Sequence, residues 1–166
     1  MGNILNRVAD LVWPALALEQ RMLSLVPITA GLIVEWLALW LGSFGLTWKK
    51  AAVVDVVMNA TSALIGVFLI PALGMGWEYG PAQLIERLIP IGMTFQIDWL
   101  AAFVIAVAVT TAIEAAVVRW GFRISLGMRR FSILLGANAV SVGFAFVSVM
   151  LHPTPMPGPP MTGVGH

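Results

Sequence analysis

Four stretches of the chain stay apolar for about twenty residues at a time, at 23–44, 51–73, 99–120 and 131–151. A helix rises ~1.5 Å per residue, so about 20 residues cross a ~30 Å hydrocarbon core and each stretch is long enough to span a bilayer. Lipid offers the backbone no hydrogen bonds, so the spans are expected as α-helices despite their Val and Ile content. Composition points the same way: 60% of the residues are hydrophobic and 10% charged, against ~45–50% and ~25% in soluble domains. In water, about a third of the unfolded surface of a chain this size would stay exposed, too much for so few polar residues to cover. The expected fold class is an all-α integral membrane protein with four transmembrane helices.

A formal net charge of +1 supplies no basic field for nucleic acid, which is excluded as a main partner. With no cysteine there is no disulfide, thiolate zinc site, iron–sulfur ligand or thiol nucleophile. No Gly-rich phosphate loop, serine–histidine–acid set or HExxH zinc motif occurs, so neither catalytic residues nor a cofactor are expected. Haem held between two imidazoles needs histidines in facing spans, and the only two are His152 and His166, beyond the last span. His152, Met156, Met161 and His166 are donor types that suit Cu(I), but Pro-rich gaps between them give no preformed geometry. The expectation is no metal, and a tail that runs along a partner.

Residues 1–22 do not follow the signal-peptide pattern of basic start, apolar core and small-residue cleavage site. Ile4, Val8, Leu11 and Val12 recur at helical spacing around Arg7 and Asp10, which predicts an amphipathic helix on the membrane surface, ended or kinked by Pro14. Residues 74–98 are expected as an outer loop rich in Gly74, Gly76, Gly80 and Pro81, with Trp77 and Tyr79 in the interfacial belt. Within it, Pro81 is expected to open a short surface helix carrying Leu84, Ile85, Leu88 and Ile89 opposite Glu86 and Arg87, and Pro90 to stop it. Residues 152–166 contain five prolines and three glycines and read as a Pro-rich extension. The segments are therefore 1–22, 23–73, 74–98, 99–151 and 152–166.

Six of the nine Lys and Arg fall in the two short turns: Lys49, Lys50, Arg119, Arg123, Arg129 and Arg130. The positive-inside rule puts both turns in the cytoplasm, and both termini and the long middle connection outside. The bacterial inner membrane is the expected location.

The two halves of the chain resemble each other. Glu35 and Asn59 recur as Glu114 and Asn138 at an offset of 79 residues, and the same offset matches Gly42 with Gly121, Lys50 with Arg129, Ala60 with Ala139 and Ser62 with Ser141. Apolar helices match Leu, Val and Ala freely, but matching the rare Glu, Asn and basic residues together is harder, and duplication is the expected origin. Each copy is a hairpin of two spans, so the copies run in the same sense, as parallel repeats about an axis along the membrane normal. Inverted repeats are a common basis of alternating access, and their absence counts against a transporter.

By helical rise, Glu35 and Asn59 both lie roughly 14–15 Å from their turn, and Glu114 and Asn138 about 10–13 Å from theirs. Each hairpin is expected to close a Glu–Asn hydrogen bond near mid-membrane. Small and polar residues line up beside these pairs: Gly31, Glu35, Ala38 and Gly42; Asp55, Asn59, Ser62 and Gly66; Asn138, Ser141, Ala145 and Ser148. Asp55, nearer its turn, is expected to pair with Lys49 or Lys50 at the interface.

An ionisable residue at a helix centre costs at least ~2.5–3.5 kcal/mol on insertion scales. For Glu35 and Glu114, structural hydrogen bonding to Asn is preferred to a proton or ion path. The expected function is a non-catalytic accessory or scaffold subunit of a larger membrane complex, with other membrane subunits and lipid as partners and an outer-side partner for the tail. The alternative is a homo-oligomeric transport or channel module using Glu35 and Glu114 for proton or cation passage. A dry interior around the carboxyls favours the first, a wet cavity the second.

Overall fold

A computed structural model describes residue 18 and residues 25–88 and 94–151. The described residues are helical with short connections and contain no strand. In chain order they form α1 (Leu25–Leu41), α2 (Trp48–Trp77), a π-helical turn (Glu78–Ala82), α3 (Gln83–Leu88), α4 (Thr94–Ala116), a second π-helical turn (Val117–Gly121) and α5 (Met128–Leu151). Three helical stretches, Trp48–Ile85, Ile97–Gly121 and Met128–Leu151, are long and apolar enough to cross a membrane, with mean hydropathy between 2.0 and 2.2. α1 is apolar but only 17 residues long over its described part, shorter than the expected 23–44.

The larger departure lies at 74–88. In place of a glycine-broken loop, the helix runs on from α2 through the π-helical turn into α3. Gly in a helix costs only about 1 kcal/mol, less than leaving backbone groups unpaired in an apolar setting. Pro81 falls inside the π-helical turn, whose wider winding accommodates a residue that lacks an N–H. The Glu78 N–H still reaches the carbonyls of Gly74 and Met75.

The two turns are closed by specific bonds. Thr47 caps α2, its hydroxyl accepting from the Lys50 N–H at 3.4 Å, and the Trp36 indole N–H donates to the Trp48 carbonyl at 3.0 Å. Ser43 and Gly45 take left-handed backbone, with φ of 68° and 71°, to reverse the chain. Arg130 ties the turns together, donating to the Ser43 carbonyl at 3.0 Å and to the Ser125 carbonyl and hydroxyl at 2.7 and 2.9 Å.

α1 packs mainly on α5, and α2 mainly on α4. Near the turns the core comprises Leu39, Phe44, Ala51, Val54, Met58, Val118 and Leu134. At the far end it comprises Ile70, Ala106, Val107, Val109, Val142 and Ala145, joined by Leu18. Leu18 is wholly buried there. The rest of 1–22 and the tail 152–166, including His152, Met156, Met161 and His166, lie outside the described residues. Much of the outer surface is apolar, including exposed Leu64, Phe68, Leu100 and Trp120, as suits helices facing lipid or partners.

Candidate functional site

Between the two apolar core clusters, each of the four long helices contributes polar side chains at one level: Glu35 from α1, Asp55, Asn59 and Ser62 from α2, Glu114 from α4, Asn138 and Ser141 from α5. Glu35 and Glu114 are 1% exposed, and Asp55 and Asn138 2%. Helical periodicity produces this burial. Along α2 the buried residues Ala51, Asp55, Met58, Ser62 and Gly66 follow one another at spacings of three or four, so they form the stripe that faces the bundle.

The structure brings each Glu to the Asn of its own hairpin. The Asn59 amide donates to Glu35 Oε2 at 2.6 Å, and also lies within reach of the Asp55 carbonyl at 3.1 Å and Asp55 Oδ1 at 3.2 Å. The Asn138 amide donates to Glu114 Oε2 and, one turn back, to the Leu134 carbonyl at 3.2 Å.

The two serines cross between hairpins. Ser62 Oγ on α2 donates to Glu114 Oε1 on α4 at 3.4 Å, with the Asn59 carbonyl as a second acceptor at 3.2 Å. Ser141 on α5 is a hydrogen-bonding partner of Glu35 on α1. The second crossing needs a close approach. A Cβ on Gly31 would stand 2.3 Å from Ser141 Oγ, so glycine there lets α5 come against α1.

Asp55 is a correction to the sequence reading. It forms no ion pair with Lys49 or Lys50, and instead accepts from Asn59 inside the layer. The lysines are exposed at the start of α2, and Lys49 sits over the Trp48 ring at 5.5 Å. Asp55 lies on the Asn59 stripe, and that helical periodicity outweighs its nearness to the turn. The serine crossings were missed because spacing along one hairpin carries no information about the other.

A cavity of about 300 Å³ opens beside the layer, lined by Leu32, Asn59, Ser62, Gly66, Thr110 and Ser141 among others. None of the three carboxyl residues lines it. Thr110 turns its hydroxyl back to the Ala106 and Val107 carbonyls at 2.9 and 3.2 Å. Among the described residues no group of three His, Asp or Glu is arranged to hold a metal ion.

These groups can fix helix register through buried hydrogen bonds, and the carboxyls can hold protons. The fold and the layer define an all-helical bundle with a polar waist, in which three helices are long and apolar enough to cross a membrane. Comparison with known protein families, curated proteins and solved structures finds no match to the chain.

Proposed function

We propose that the chain is a non-catalytic accessory or scaffold subunit of a larger membrane complex. One observation carries this reading: the polar groups at mid-bundle hydrogen-bond one another, and the three carboxyls stand away from the cavity wall. Such a layer fixes how the helices meet and leaves the apolar outer faces for subunits and lipid. The same arrangement supports an origin in two parallel hairpin repeats. Glu35, Asn59 and Ser62 correspond to Glu114, Asn138 and Ser141, each Glu takes its own hairpin's Asn and the other hairpin's Ser, and α1 on α5 mirrors α4 on α2. The charge distribution supports cytoplasmic turns with both termini outside, and the bacterial inner membrane is the proposed location. An outer-side partner is proposed for the Pro-rich tail.

The second reading, a transport or channel module using Glu35 and Glu114, is favoured by one feature. Asn59, Ser62 and Ser141, each bonded to one of those carboxyls, line the cavity. Purification of the full chain and of a form lacking residues 153–166 under mild detergent tests the scaffold reading. The full chain should run in a particle containing further polypeptides, and the shortened form should fold but be retained less well. A full chain that is monodisperse by itself would contradict the proposal.

A further inference from the structure

The end of the bundle that carries the two turns is cationic without compensation. Residues 42–50 and 119–131 contain Lys49, Lys50, Arg119, Arg123, Arg129 and Arg130 and no Asp or Glu. The nearest carboxyls along the helices, Asp55 and Glu114, are turned into the polar layer. Arg130 is committed to the turns, as described above. Arg119 and Arg123 are exposed and form no hydrogen bond or ion pair among the described residues.

Both of these arginines line one hollow of about 350 Å³, together with Ile124, Ser125 and Leu126. Ser125 Oγ accepts from Arg130, which leaves its own O–H to donate outward. The hollow adjoins a groove of about 450 Å³ between the end of α4 and the start of α5, with Arg119 and Leu126 common to both. Away from Arg119 the groove is walled by Ala112, Ala115, Ala116, Trp120 and Phe131. The small alanines make the trough, and Trp120, 75% exposed, stands at its rim.

The groove lies at the ends of two stretches long and apolar enough to cross a membrane, Ile97–Gly121 and Met128–Leu151. The arginine end therefore falls at headgroup depth and the alanine trough at acyl-chain depth. Uncommitted guanidinium groups favour a phosphate oxyanion, and an apolar trough continuing inward favours a hydrocarbon chain. Basic pockets between membrane helices on the cytoplasmic side hold anionic headgroups by the same two forces.

We propose that Arg119, Arg123 and Ser125, with the trough along Ala112, Ala115 and Ala116, form a binding site for one anionic phospholipid. Its phosphate lies on the two arginines and one acyl chain lies in the trough. The site depends on the bundle being in a membrane, not on the scaffold reading.

Native mass spectrometry of the purified full chain in mild detergent, titrated separately with phosphatidylglycerol and phosphatidylcholine, tests the proposal. A cation near the surface contributes ~1 kcal/mol toward an anionic lipid, about fivefold in affinity. The first lipid bound should favour phosphatidylglycerol by about tenfold or more, and the double variant R119Q/R123Q should reduce that preference to about twofold. The double variant K50Q/R129Q removes the same two charges from exposed residues that line neither hollow, and should leave most of the preference intact. A112F should weaken phosphatidylglycerol binding by filling the trough without changing charge, which keeps the test valid if the double variant folds poorly. Equal affinity for the two lipids, an unchanged preference in R119Q/R123Q, or equal competition by chain-free glycerol phosphate would overturn the proposal, the last by showing a site for free phosphate esters.

Discussion

Asn138→Leu removes a buried amide without opening a large cavity, since the two side chains are similar in volume. The wild-type amide gives one bond to Glu114 and one to the Leu134 carbonyl. Hydrogen bonds between membrane helices are worth about 0.6 kcal/mol on average and about 1.7 at most, so the Glu114 bond contributes on the order of 1 kcal/mol. The substitution also leaves Glu114 with only the long 3.4 Å bond from Ser62. An under-satisfied buried polar group adds up to about 1–3 kcal/mol. The expected destabilisation is about 1–4 kcal/mol, read from the denaturing-detergent midpoint of purified protein in mixed micelles. A double-mutant cycle with Glu114→Met isolates the pair and should return a coupling of about 0.6–1.7 kcal/mol. A coupling near zero would refute the claim that this pair helps hold the hairpin together.

Gly31→Ala should destabilise the bundle by about 1 kcal/mol or more, because its methyl displaces the Ser141 hydroxyl; the double variant Gly31→Ala/Ser141→Ala should recover most of that loss in the same unfolding assay. Because the chain has no cysteine, single cysteines at Lys49, Arg123 and Gly80 report topology directly. Lys49 and Arg123 variants should be labelled from the cytoplasmic face and the Gly80 variant from the other, and labelling of Lys49 and Gly80 variants from one face would sink the orientation.

Helical class and approximate spans are legible from sequence because apolar length and backbone satisfaction in lipid leave few alternatives, as at 131–151, which folds as Met128–Leu151. Turn chemistry in solution misleads at Gly74, Gly76 and Gly80, which read as a loop, and at Pro81, which reads as the start of a separate helix. There the helix continues through a π-helical turn, because unpaired backbone is dearer than poor propensity. In the polar layer, Glu35 and Asn59 share a depth that rise per residue can compute. The crossing of Ser62 to Glu114 depends on how two hairpins dock, and periodicity within either is silent about that. Asp55 shows two signals in conflict: its depth pointed to the interface, its stripe to the interior, and packing against the other helices prevailed.

The buried carboxyls are proposed to hold the bundle together and not to pass ions. Proton flux across liposomes carrying the purified chain, followed with an internal pH dye under an imposed gradient, tests this most directly. Decay should be no faster than in protein-free vesicles, with Glu35→Gln and Glu114→Gln indistinguishable from wild type. Flux well above that background, lost in either variant, would contradict this role and put the transport reading in its place.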